Sequence, residues 1–111
     1  MIDWTRVAEL RDEIGIEDFD EVVDLFLQEV ATTLATLPGL AGQPAEIEAG
    51  LHFLKGSALN LGFESLAQLC QRGEDAARRG MAGSVDLDGV VRSYEQSRAE
   101  FLRDLPARLA A

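Results

Sequence analysis

An all-α fold, an antiparallel four-helix bundle with an additional short N-terminal helix, is predicted by three features of this 111-residue chain. Apolar residues recur at steps of three and four along four long stretches, the spacing that places them on one helix face. No stretch alternates apolar and polar residues for long enough to argue a strand. The connections are short, so consecutive helices should turn back on one another. By size, residues 1–111 form a single domain, able to bury about two-thirds of the unfolded chain's surface.

The first element is a short helix over residues 3–14, with Asp3 as N-cap and Trp4, Val7, Leu10 and Ile14 on one side. It is expected to act as a lid, with Trp4 an anchor in the core or under that lid. Asp18 is the expected cap of a longer helix whose stripe is Phe19, Val22, Val23, Phe26, Val30, Leu34 and Leu37, ending at Pro38-Gly39. A fourth helix over residues 64–79 turns Leu66, Leu69, Cys70, Gly73 and Ala77 one way, and residues 80–84 make a turn. Asp86 opens the last helix, with Leu87, Val91, Tyr94, Phe101, Leu102, Leu105 and Leu109 as its apolar side and Pro106 kinking or fraying its end. Arg98 falls inside that stripe and is expected to snorkel to the surface or pair with an acid.

The third helix, about residues 44–61, carries the most informative segment. Pro44 suits a first helical turn, where its missing N–H is no loss. Ile47, Leu51, Leu54, Ala58 and Leu61 form its apolar stripe, and Gly62 suits a left-handed C-cap. His52, the chain's one histidine, lies roughly 140° from Ile47 on the helical wheel, off the stripe. Lys55 and Gly56, at i+3 and i+4, are its neighbours on the helix surface. A glycine in a helix interior costs about 0.8–1 kcal/mol relative to alanine. On the outward side no packing requires it, whereas a partner's backbone could use the cleared space. A mobile lysine charge suits phosphate oxygens. A nucleophilic nitrogen, a cation and an open approach together suit a transferable phosphoryl group.

The run His52-Phe53-Leu54-Lys55-Gly56-Ser57-Ala58, followed by Leu61-Gly62, resembles the signature of histidine-containing phosphotransfer (HPt) domains. These are helical bundles that carry phosphoryl groups in two-component phosphorelays. The pattern of helices extends the resemblance over roughly residues 15–105, but only the motif is diagnostic. The resemblance implies that His52 is the phosphoacceptor, Lys55 the phosphate-stabilising cation and Gly56 the access residue. It implies a Gln or Glu on the following helix that orients the imidazole, and Gln71 and Glu74 fall in that region, Glu74 being the favoured of the two. Leu51 departs from the small residue that often precedes the histidine in the family; on the core face, it should affect packing more than chemistry. Partners would be receiver domains of response regulators or a hybrid histidine kinase, docking on the face that holds Ala49, Gly56 and Leu59, extended by the first two helices. His52 would take the phosphoryl group of a receiver's aspartyl phosphate and pass it to another receiver. Mg²⁺ would belong to the receiver, so no cofactor or metal is expected on this chain, and a monomer suffices.

Composition narrows the alternatives. Twenty acidic against ten basic side chains give a net charge of −10, without the basic footprint that non-specific nucleic-acid binding needs. No apolar run is long enough to span a membrane and no secretory pattern opens the chain, so a cytoplasmic protein is expected. One Cys and one His are too few for a protein-built zinc site. Cys70 reads as a small core residue. Glu17, Asp18, Asp20, Glu21 and Asp24 read as favourable charge near a helix start and lack calcium-loop spacing. Neither a G-x-S-x-G elbow nor a P-loop is present, so no ATP-dependent self-phosphorylation is expected. A second function stays open: a helical adaptor in which His52 is incidental. So does a module of a larger hybrid kinase, although the start at Met1 and the end soon after the last helix favour a free-standing protein.

Overall fold

A computed structural model describes residues 1–108. Five α-helices account for most of them: α1 (Trp4–Ile14), α2 (Ile16–Thr36), α3 (Pro44–Leu61), α4 (Glu64–Arg78) and α5 (Leu87–Arg108). Short 3₁₀ turns at Leu37–Leu40 and Ala82–Ser84 connect α2 to α3 and α4 to α5. Helices α2 to α5 form the bundle and α1 packs across α2 and α3. Among the described residues there is no strand, only an isolated bridge between Ile2 and Phe63.

The helix ends follow their local chemistry. The Asp3 carboxylate accepts the Arg6 backbone N–H at 3.1 Å, capping α1. The expected Asp18 cap of α2 is corrected: α2 begins at Ile16 and Asp18 lies in its first turn. Gly15, at φ 99°, ends α1 and starts α2, so no residue is left to serve as a separate side-chain cap. Glu17 and Asp18 instead sit where the helix dipole favours negative charge. Gly62 ends α3 in the left-handed region at φ 75°. A side chain there would also meet the Asp3 carbonyl at 2.6 Å, because the N-terminal segment crosses at this point. The Asp3 N–H donates to the Gly62 carbonyl at 2.7 Å, and the Met1 ammonium donates to Ser65 Oγ at 2.6 Å.

The core is apolar and continuous from Val7 and Leu10 through Leu51, Leu54 and Leu66 to Phe101. Trp4, half-buried, stacks on Phe101 at 5.8 Å between ring centroids, and Phe101 meets Phe63 edge-on at 5.5 Å. All five apolar positions expected on α3 are buried. On α2, Leu27 joins the expected stripe, while Val22 and Phe26 are only half-buried.

The face expected of α5 is also corrected. Its buried residues are Val90, Ser93, Tyr94, Ser97 and Phe101, whereas Leu102 and Arg98 are exposed and Leu87 and Val91 half-buried. Two of the five are serines, polar residues that hydropathy alone does not select. Tyr94 completes the face by donating its hydroxyl to the Leu27 carbonyl at 3.1 Å. The helix runs through Pro106 to Arg108, and Leu109 lies outside the described residues.

Candidate functional site

Helices α3 and α4 share the largest interface in the bundle. Their close approach depends on Gly73: a Cβ there would lie 2.8 Å from Leu51 Cδ1 and 3.2 Å from Val85 Cγ1. The large residue before His52 is thus matched by a residue without a side chain on the facing helix. This contact brings Glu74 beneath His52.

The imidazole projects outward with its side chain 69% exposed, while the Glu74 side chain is only 2% exposed. Nδ1 of His52 lies 3.1 Å from both carboxylate oxygens of Glu74. Nζ of Lys55 donates to Glu74 Oε1 at 3.0 Å and to Gln71 Oε1 at 3.0 Å. Nη2 of Arg78 donates to Glu74 Oε2 at 3.3 Å. Burial raises the carboxyl's proton affinity, but hydrogen bonds and charge from Lys55 and His52 outweigh it and hold Glu74 below its ordinary value. Glu74 is therefore ionised at neutral pH and can only accept. Nδ1 then carries the ring proton, and the lone pair of Nε2 is the one left free.

Around the ring, Gly56 leaves open space where a side chain would stand. Ala49, Phe53 and Leu59 are exposed on the same helix. Lys55, Leu59 and Gln71 line a cleft of about 360 Å³ on the α4 side. Phe53 and Leu25 line another of about 300 Å³ on the α2 side. Cys70 lies buried behind the site; burial and the Glu74 carboxylate push its thiol up to about 12, so it is not a nucleophile at neutral pH.

His52, Lys55, Glu74 and Gln71 are thus brought together, but Gln71 contacts Lys55 and Asp75 rather than the imidazole. Sequence reasoning missed Arg78 and Glu48, whose side chains meet at 3.2 Å beside Glu74. Arg78 stands at i+4 from Glu74, and that helix-pair spacing was the available signal. Among the described residues no group of three or more His, Cys, Asp or Glu could hold a metal ion, and no helix is long and apolar enough to cross a membrane.

The Hpt domain family model matches residues 21–111. No curated protein sequence matches the chain. Among solved structures, the crystal structure of histidine-containing phosphotransfer protein B (HptB) from Pseudomonas aeruginosa PAO1 is similar, with a TM-score of 0.82. The match covers 99% of this chain and 96% of that one at 24% sequence identity, a likeness that speaks for the fold.

Proposed function

The chain belongs to the histidine-containing phosphotransfer (Hpt) domain family, whose members relay phosphoryl groups with receiver domains, and we propose that it does so through His52. The observation that carries this assignment is the pairing of an exposed imidazole with a buried, ionised Glu74 on Nδ1. Such a pairing leaves Nε2 as the outward nucleophile.

In the proposed step the Nε2 lone pair forms a bond to the phosphorus of a receiver's aspartyl phosphate. The P–O bond to that aspartate breaks, and its electron pair leaves with the carboxylate. The Nδ1 proton stays in place, so the phosphorylated ring is cationic, and the Glu74 carboxylate offsets that charge. Lys55 turns its ammonium to the phosphoryl oxygens, and Gly56 leaves room for the receiver's backbone. Transfer chemistry of this kind depends mainly on positioning and charge stabilisation. Mg²⁺ belongs to the receiver and supplies charge neutralisation there. Transfer to a second receiver reverses the bond changes.

We further read residues 1–111 as one domain that works as a monomer in the cytoplasm, taking its phosphoryl group from a receiver or a hybrid histidine kinase rather than from ATP. The test is to mix the protein with phosphorylated receiver domains and Mg²⁺ and map phosphate by mass spectrometry. Acid-labile, base-stable label on His52, absent in His52→Gln, is the expected result. No label from any receiver of the same cell would leave the helical adaptor as the better account.

A further inference from the structure

Among the described residues, Arg78 also contacts the Glu74 carboxylate, and the phosphotransfer chemistry above leaves it without a task. Its guanidinium reaches three carboxylates: Glu74 at 3.3 Å, Glu48 at 3.2 Å and Asp75 at 3.6 Å. Glu48 lies on α3 one turn before His52, so Arg78 ties α4 to the helix that carries the imidazole. A planar fork of five donors can hold several carboxylates at once in a fixed geometry.

Resting on the functional reading above, Lys55 has two calls on its charge. In the structure it is fully engaged by Glu74 and Gln71. To serve the phosphoryl oxygens it must release at least part of that contact. A buried carboxylate that loses its cation is costly unless another replaces it. While Lys55 is in place, Lys55 and His52 hold Glu74 charged against its burial. Arg78 is already within hydrogen-bond distance and makes no contact that must break first.

We propose that Arg78 is a positioning residue: it holds the Glu74 carboxylate when Lys55 turns to the phosphoryl group, keeping Glu74 charged and aligned on Nδ1. Arg78 acts through Glu74 and touches neither the ring nor the phosphate. The guanidinium is 58% exposed, so its replacement should leave the fold intact.

The experiment measures transfer from a phosphorylated receiver to the full chain as a function of receiver concentration. It compares the wild type with Arg78→Ala, Arg78→Lys and Arg79→Ala, the last an exposed neighbour that removes the same formal charge. Arg78→Ala should lower the maximal rate about two- to fivefold, the span a partly exposed charge contact allows. The half-saturating receiver concentration should not change. Arg78→Lys should recover most of the loss and Arg79→Ala should match the wild type. An unchanged maximal rate in Arg78→Ala overturns the inference. So does a loss confined to half-saturation, which would make Arg78 a docking residue, or an equal loss in Arg79→Ala, which would make the effect one of net charge. If the wild type itself takes up no phosphoryl group, the phosphotransfer assignment fails and this inference fails with it.

Discussion

A carboxyl group as deeply buried as Glu74 would ordinarily keep its proton, and here it does not because hydrogen bonds and charge from Lys55 and His52 outweigh the burial. Its proton affinity in the fold is depressed from the ordinary value of 4.5. A depressed carboxyl stabilises the fold above its unfolded-state value, and that contribution disappears as pH falls through the folded-state value. Glu74→Gln keeps the shape but removes the charge that Lys55 and Arg78 face. It should destabilise the protein by about 1–3 kcal/mol at pH 7, the cost of leaving polar partners unsatisfied. The gap between wild type and variant should narrow as pH is lowered below the ordinary value of 4.5 and through the depressed folded-state value, which urea unfolding at each pH would measure; a gap independent of pH would contradict the charge assignment. Glu74 was legible as a candidate through the family resemblance, which implies a Gln or Glu on the helix after His52. Its burial was not legible, because an ionised residue on a buried face contradicts the hydropathy pattern by which faces are read. The partners that make burial tolerable come from α3, whose register against α4 no local pattern specifies.

At the scale of the elements, α3 and α4 owe their closeness to a size exchange between Leu51 and Gly73. Gly73→Leu alone should destabilise the fold by about 1–3 kcal/mol through overpacking. Leu51→Ala alone should cost about 2–5 kcal/mol through the cavity it leaves. Combined, the two should recover about 1–3 kcal/mol relative to their sum, because each fills or vacates the same space. Simple additivity in denaturant unfolding would show that the two positions do not share a contact. Boundaries carried by a dedicated residue, such as Asp3, Pro44 and Gly62, were readable directly. The start of α2 was not, because Gly15 serves two helices and Asp18 imitates a cap one turn too late. The face of α5 departs from the expected stripe for a different reason. Ser93 and Ser97 are buried although polar, so a hydrophobic stripe does not pick them out.

For the whole molecule, the distribution of exposed apolar side chains bears on docking. With a net charge of −10, the chain offers no general electrostatic attraction to acidic partners, so specific contacts must carry recognition. Leu59 is 55% exposed and lies two helical turns beyond His52, beside Lys55 and Gln71 at one cleft. One exposed leucine needs no explanation. Its position on the face that presents the imidazole is what gives it a task in the proposed relay. Leu59→Glu should raise the half-saturating receiver concentration about tenfold, the scale of an interface residue that matters. Stability should change by less than about 0.5 kcal/mol, as for a surface substitution. The maximal transfer rate should stay near the wild-type value, because Glu74, Lys55 and Arg78 remain in place around His52. Arg78→Ala should show the opposite split, a lower maximal rate at unchanged half-saturation. Placing the two variants on the same concentration series therefore separates docking from positioning. A receiver that saturates Leu59→Glu and the wild type at the same concentration would place the docking face elsewhere, on the α2 side where Phe53 and Leu25 line the second cleft.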